Sequence, residues 1–280
     1  GQELFALEAA ANDWPAAEKT LAHNIQRKLL PTDEGNRRQA IVKFAQALAA
    51  SNEGESKRAL ELARKANNQL PEFAPATALA GRLHGAAGEA NKARRLLLNG
   101  WRTAPHPELL AAWLDVHPSD QPAQRLEAVQ ELIAENPDDG ESRLALAQAA
   151  LEASEFDLAR PPLESLMEQF PSARVARVIA DLEENDRSDG ATARQWLRQA
   201  ASLPVDATWV CKDCGRQIGV WAPHCPDCVS FDTFVWRVPA GAGAVLPYAA
   251  GIAPAAVQSE DEPKIEILPP DVEPTSAPTN

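Results

Sequence analysis

A spacing of 34 residues recurs along the chain and constrains its fold more than any other feature. Three residue pairs have this separation: Gly54 and Gly88, Ala59 and Ala93, and Pro71 and Pro105. The interval from Pro137 to Pro171 is again 34 residues, whereas it falls to 32 between Pro105 and Pro137. A repeated unit of this length buries its apolar face only by stacking on its neighbours, so the chain should fold as a solenoid.

Small and turn-forming residues occupy the repeated positions, as two antiparallel helices joined by a tight turn require. Ala59 and Ala93 let helix backbones approach closely, and Ala159 fits the same place further along the chain. Gly54 and Gly88 permit the positive φ of the turn, while the prolines end the second helix of each unit. The pattern resembles the tetratricopeptide repeat, a helix–turn–helix unit. We therefore predict an all-α solenoid of about six helical pairs over residues 1–204.

The resemblance to tetratricopeptide repeats implies a concave groove, lined by the first helix of each pair, that binds partner proteins. Six residues are expected to face this groove: Phe44, Leu48, Arg82, Leu144, Gln148 and Glu152. Nucleic acid is not an expected partner, because the chain carries 40 acidic and 27 basic residues, a net charge of −13. Binding to a phosphate backbone requires clustered Lys and Arg.

The four cysteines lie in two close pairs, Cys211 with Cys214 and Cys225 with Cys228. A gap of two residues lets a short turn present both sulfurs of a pair, and two such turns bring four thiolates to the corners of a tetrahedron. We predict a four-cysteine metal ribbon, similar to rubredoxin, over residues 205–239, with all four cysteines as ligands. Zinc is the preferred ion and iron the alternative, while two local disulfides are another interpretation of the same spacing.

Two features of the ribbon lead to more specific expectations. Gly215 follows the first cysteine pair and can adopt positive φ, whereas Val229 follows the second pair. Because a β-branched residue is unfavourable at positive φ, we expect the second turn to be distorted or differently arranged.

The ribbon also contains five aromatic residues: Trp209, Trp221, Phe231, Phe234 and Trp236. We expect these side chains to fill the small core of the ribbon and to dock it on the last helices of the solenoid.

Residues 240–280 differ in composition from the rest of the chain. They are rich in Ala, Gly and Pro, and they include the acidic stretch from Ser259 to Glu262. Such a segment lacks the apolar density to fold, so we expect a disordered acidic and proline-rich tail. No run of about eighteen apolar residues occurs in the chain, so no segment is predicted to span a membrane.

The end of the ribbon, from Cys225 to Trp236, together with Trp209 ahead of the first cysteine pair, resembles the C-terminal part of the bacterial HemY family. That family is associated with haem biosynthesis and is distinct from the oxidase that shares its name. The resemblance implies an N-terminal membrane anchor followed by tetratricopeptide repeats on the cytoplasmic side of the inner membrane. It also implies haem-biosynthesis enzymes as candidate partners. The start at Gly1 fits a soluble chain that lacks such an anchor.

A related architecture is LapB, a membrane-anchored regulator of lipopolysaccharide assembly in which a rubredoxin-like module packs on a repeat solenoid. Its four cysteines correspond to Cys211, Cys214, Cys225 and Cys228. The Phe231-Asp232 sequence and the closing Trp236 favour the HemY family over LapB. In either case the resemblance to these families implies a membrane-associated regulator or scaffold.

Three classes of function are compatible with these patterns, and the leading one is a non-enzymatic scaffold that recruits proteins. A metal- or redox-responsive adaptor, whose ribbon undocks when the metal is lost, is the second. An enzyme of haem metabolism is disfavoured, since the sequence has no nucleophile–base pattern, open metal site or glycine-rich phosphate loop. Four histidines are scattered without the pairing of an axial haem site: His23, His84, His106 and His117.

Overall fold

The computed structural model describes residues 1–239, which form twelve α-helices followed by a small three-stranded sheet. The predicted disordered tail, 240–280, lies outside the described residues. The helices pair in chain order as six antiparallel hairpins. The prediction of an all-α, tetratricopeptide-type solenoid followed by a four-cysteine ribbon is confirmed.

The first six helices are α1 (Gln2–Ala10), α2 (Trp14–Gln26), α3 (Thr32–Asn52), α4 (Ser56–Gln69), α5 (Ala74–Ala86) and α6 (Ala90–Thr103). The next six are α7 (Pro107–Val116), α8 (Pro122–Ile133), α9 (Gly140–Glu152), α10 (Phe156–Gln169), α11 (Ala173–Arg187) and α12 (Gly190–Ala200). Within residues 1–239, no helix combines the length and the apolar content that a membrane span requires.

The turns inside the hairpins explain why the repeat is only partly visible in the sequence. In the described chain, five of the six hairpins place one turn residue at positive φ: Asn12, Gly54, Gly88, Ser154 and Ser188. Glycine adopts this conformation freely, but Asn and Ser also reach it, so the turn is kept where the glycine pattern is not. The exception is the pair α7–α8, where Pro118 and Pro122 flank an irregular connection and the 34-residue interval shortens.

Small residues bring the helices into close contact, as the sequence predicts. Ala59, Ala93 and Ala159 have no exposed surface. A Cβ atom added to Gly100 of α6 would lie 2.8 Å from Thr77 Cγ2 of α5, a distance that real Cβ contacts do not show. Helices α5 and α6 can therefore lie this close together only because residue 100 is a glycine.

The ribbon is a three-stranded antiparallel sheet with two cysteine turns. Its strands are β1 (Thr208–Cys211), β2 (Gln217–Ile218) and β3 (Phe234–Arg237), in the order β2-β1-β3. Trp209 pairs with Trp236, and Cys211 pairs with Phe234. The ribbon and the solenoid share one apolar cluster, so the division into separate parts at residues 204 and 205 stays a prediction.

Candidate metal centre and its docking surface

The two cysteine turns have the same backbone geometry. The N–H of Gly215 donates to the carbonyl oxygen of Cys211 at 2.9 Å, and the N–H of Val229 donates to that of Cys225 at 2.9 Å. Gly215 has φ 79° and Val229 has φ 60°. The expected distortion of the second turn is therefore wrong: valine adopts the left-handed conformation. Its side chain is 58% exposed, so the cost comes from its own backbone and not from a clash with neighbours.

The two turns bring four sulfur atoms together. All four lie within 4.8 Å of one another; Cys211 Sγ is 3.7 Å from Cys228 Sγ, and Cys214 Sγ is 3.4 Å from Cys225 Sγ. These separations exceed a disulfide bond of about 2.05 Å, so the thiols are free. Four thiolates at about 2.3 Å from a central ion would be about 3.8 Å apart. The cluster therefore fits a metal ion held by these cysteines, and the arrangement accommodates zinc and iron alike.

Hydrogen bonds favour the thiolate form of Cys211, whereas the net effect at Cys214 favours the thiol. Burial alone would raise the pKa of Cys211, but hydrogen bonds with the Thr233 hydroxyl and with the N–H groups of Cys214 and Asp213 outweigh it and lower this pKa to about 6. At Cys214 the N–H of Arg216 favours the thiolate, yet burial and the adjacent sulfurs raise the pKa to about 12. Neighbouring thiolates repel one another, and a bound cation removes this repulsion.

One side of the sulfur cluster faces the protein and the other faces solvent. Cys211 and Cys225 are buried, whereas Cys214 and Cys228 are exposed. His224, which adjoins Cys225, is not part of the cluster; its ring stacks on Trp14 at 5.6 Å between centroids. The four cysteines alone form the candidate metal site in the described part of the chain.

The ribbon docks on the first helices of the solenoid, so the expected docking on the last helices is wrong. Trp221 lies against Phe44 of α3 and Phe73 at the start of α5, with ring centroids 5.4 and 5.0 Å apart. Phe231 contacts Phe5 of α1 edge to face at 5.2 Å. These aromatic contacts place the ribbon against the first three helical pairs.

A second part of the docking surface lies at the start of α7. The His106 ring lies 4.3 Å from Trp236 and 5.4 Å from Trp209, measured between ring centroids. The Trp209 Nε1–H donates to Glu108 Oε1 at 3.0 Å. Burial lowers the pKa of His106 to about 4 and raises the pKa of Glu108, whose carboxylate the Trp209 hydrogen bond stabilises. His106 is thus a neutral, buried side chain of the interface.

A bidentate ion pair between an arginine and an aspartate completes the interface. Arg37 of α3 donates from Nε and Nη2 to the two carboxylate oxygens of Asp232 at 2.7 and 2.8 Å. Asp232 is only 8% exposed; burial raises its pKa, and Arg37 opposes that shift. Sequence reasoning missed this pair and the interface roles of Phe73 and His106. The Phe231-Asp232 sequence was a usable signal, but nothing in it indicates Arg37 as the partner.

The six residues expected to face the groove lie in four different environments. Phe44 is buried under the ribbon, and Leu48 packs at the edge of the same cluster. We call this part of the predicted groove the covered groove. Arg82 forms an ion pair with Asp115 at 2.5 Å, from α5 to α7. Leu144 is buried in the solenoid core.

The remaining two residues, Gln148 and Glu152, line a cavity of about 340 Å³ between α7, α8, α9 and α11. The cavity has an apolar side and a charged side, with these further lining residues: Leu110, Leu114, Arg125 and Asp181. Glu152 pairs with Arg125 at 2.9 Å. We call this surface the open groove, since the ribbon does not contact it.

Fold and site together define a class of protein: a tetratricopeptide-type solenoid whose own four-cysteine ribbon covers part of its groove. No protein-family model matches the chain. It is 30% identical over 243 residues to a protein of Magnetospirillum gryphiswaldense named "Probable magnetosome protein Mms48". The match covers 84% of this chain and 52% of that protein, so the chain spans about half the length of this relative.

Two solved structures are similar to parts of the fold. A tetratricopeptide repeat protein from Parabacteroides merdae matches 72% of this chain and 91% of its own, with 13% identity and a TM-score of 0.36. The pilF protein of Pseudomonas aeruginosa matches 61% of this chain and 78% of its own, with 17% identity and a TM-score of 0.37.

Proposed function

We propose that the chain is a non-enzymatic scaffold that binds partner proteins through the open groove, while a metal-bound ribbon covers the rest of the concave surface. The observation that carries this proposal is the division of the groove. The covered groove is filled by aromatic side chains of the ribbon, whereas the open groove keeps a cavity of about 340 Å³. Apolar leucines beside paired charges suit a short helical or extended segment of a partner.

Site-specific photo-crosslinking in cells tests the scaffold proposal. A photoreactive residue at Gln148, in the open groove, should give discrete crosslinked products with one or a few proteins. The matched control is the same residue at Lys57, an exposed position of α4. Products that are absent, or identical from the two positions, would overturn the assignment of the open groove.

The cellular setting is a finer proposal. We infer that the chain is part of a membrane-anchored, HemY-like protein on the cytoplasmic side of the inner membrane, linked to haem biosynthesis. What supports this is the resemblance of the segment from Cys225 to Trp236. A LapB-like role in envelope lipid assembly is the alternative, and the name of the curated relative suggests magnetosomes as a further setting. Accumulation of porphyrin intermediates in cells lacking the protein would support the haem link, and unchanged levels would overturn it.

A second candidate function, the metal- or redox-responsive adaptor, is favoured by one observation. The ribbon buries Phe44 and Phe73, which would otherwise form an apolar surface on the solenoid. A ribbon of this size depends on its metal to stay folded. Metal loss or thiol oxidation should therefore uncover the covered groove and change partner binding. Equal affinity for a crosslinked partner with and without metal would exclude the adaptor and leave the scaffold intact.

A further inference from the structure

A second cavity lies on the solenoid between α4, α5 and α6 and has a volume of about 480 Å³. It is lined mainly by basic and amide side chains, among them Arg64, Asn67, His84, Lys92, Arg95 and Asn99. These residues belong neither to the ribbon interface nor to the open groove. We call this cavity the donor cleft.

The donor cleft is positively charged on a strongly acidic chain. No Asp or Glu lines it, although the net charge of the protein is −13. Arg64 and Arg95 form no ion pair with any residue of the described range 1–239. Lys92 pairs with Glu89 at 2.6 Å, and that carboxylate also binds His84 Nδ1 at 2.6 Å. Two guanidinium groups are thus left without a protein anion.

Two amide side chains of the cleft already use their oxygen atoms as hydrogen-bond acceptors. Asn67 Oδ1 accepts from the Thr77 hydroxyl at 2.5 Å, and Asn99 Oδ1 accepts from Arg102 Nη1 at 3.2 Å. These bonds fix each amide so that its NH2 group remains available as a donor. The cleft therefore offers donors and positive charge, and a complementary ligand must supply acceptor oxygens and negative charge.

We propose that the donor cleft binds a small polyanion that presents phosphate or carboxylate oxygens. Arginine matches both groups because its planar fork donates two parallel hydrogen bonds to one oxyanion. A volume of about 480 Å³ lies in the range of small-molecule pockets. A long nucleic acid is a poor occupant, since the cavity has room only for a small ligand and the chain as a whole carries a net charge of −13. The site is independent of the ribbon metal and of the open groove.

Isothermal titration calorimetry with the whole chain tests this proposal, with tripolyphosphate and citrate as probes. The double variant R64Q/R95Q should weaken binding of the preferred probe at least tenfold, because each arginine supplies a charge-assisted pair of hydrogen bonds. The control R27Q/R198Q removes the same charge from two exposed arginines that form no ion pair in the described residues. It should bind as the wild-type chain does.

The comparison of probes identifies the ligand chemistry. Tighter binding of tripolyphosphate would support a phosphate ligand, and tighter binding of citrate a carboxylate ligand. Equal weakening in R64Q/R95Q and R27Q/R198Q would show general charge attraction and overturn the site. Tight binding of a hexaglutamate peptide that depends on Arg64 and Arg95, with neither small probe bound, would overturn the small-molecule assignment. Circular dichroism of each variant checks that the solenoid is folded.

Discussion

At the scale of single residues, Val229 holds a conformation that its side chain disfavours. The second cysteine turn needs φ of 60° at this position, as the first needs 79° at Gly215. A β-branched residue there costs about 1–2 kcal/mol. The turn is kept in spite of this cost, because this geometry brings the sulfurs of Cys225 and Cys228 into the four-cysteine cluster.

The substitution Val229→Gly should therefore stabilise the metal-bound chain by about 1 kcal/mol, since it removes the strain at positive φ. Urea unfolding at saturating metal measures the change. Val220→Gly is the matched control: Val220 is an 80% exposed valine of the same ribbon and is not at positive φ. That change should be neutral or destabilising, by about 0.5–1 kcal/mol. A loss of stability in Val229→Gly would contradict the strain argument.

His106 should make the stability of the protein depend on pH. Burial lowers its folded-state pKa to about 4, below the value of about 6.5 for an unfolded histidine. The unfolded chain therefore binds more protons between these values. Neutral His106 therefore contributes to the free energy of unfolding. This contribution is fully present above about pH 6.5 and is lost as the pH falls toward 4, by up to about 3 kcal/mol.

Urea unfolding of wild type and His106→Gln between about pH 7.5 and 5 measures this effect. The wild-type chain should lose more of its free energy of unfolding on acidification than the variant does. Protonation of the cysteines at low pH affects both chains equally, so only the difference between them reports on His106. Parallel pH profiles would show that another group accounts for the acid sensitivity.

At the scale of the secondary-structure elements, close helix packing depends on a few missing side chains. Gly100 lies in the last turn of α6 (Ala90–Thr103), and a glycine within a helix normally weakens it by up to about 1 kcal/mol relative to alanine. Its place is explained by contact with α5 and α7, since an added Cβ would lie 2.8 Å from Thr77 Cγ2 of α5 and 3.3 Å from Leu109 Cδ1 of α7. The same glycine also helps to line the donor cleft.

Gly100→Ala should destabilise the chain by about 1–2 kcal/mol, because overpacking between α5 and α6 exceeds the gain in helix propensity. Gly140→Ala is the control, since its added Cβ would meet only Leu166 Cδ2 at an ordinary 3.8 Å. That variant should be neutral or slightly more stable. Thermal unfolding of both variants provides the comparison, and a stabilised Gly100→Ala chain would contradict the packing argument.

At the scale of the whole molecule, the ribbon couples the two ends of the described chain. The Arg37–Asp232 pair joins residues 195 positions apart, and the Trp209–Glu108 hydrogen bond spans 101 positions. A small metal ribbon contributes little core of its own. If a metal is bound, we expect the interface with the solenoid to depend on it as well as on these contacts.

Removing the metal with a chelator should loosen the first three helical pairs and the start of α7, and leave the last two helical pairs unchanged. Amide hydrogen exchange should rise in α3 and α5, which the ribbon covers, while α9 and α11 keep their protection. The double variant Cys214→Ser/Cys228→Ser should show the same pattern without a chelator. Unchanged exchange in α3 and α5 after verified metal loss, or a uniform rise along the chain, would contradict the coupling.

The sequence by itself determined the solenoid and the cysteine cluster. The 34-residue interval fixes helix lengths and turns through local preferences, and residues such as Ala59 and Gly54 serve the same role in any repeat. The pairs Cys211–Cys214 and Cys225–Cys228 are equally local, because a turn of four residues sets where both sulfurs lie. Such short-range patterns are readable without knowledge of the rest of the fold.

Only the tertiary structure decided which part of the groove the ribbon covers. Every helical pair offers a similar concave face, so the repeat pattern does not distinguish the first pairs from the last. The position of the ribbon depends on Phe44, Phe73 and His106, which belong to three different hairpins. These side chains meet the aromatic residues of the ribbon only after the chain folds back. Contacts that join residues more than a hundred positions apart depend on the path of the whole solenoid, and no local pattern encodes that path.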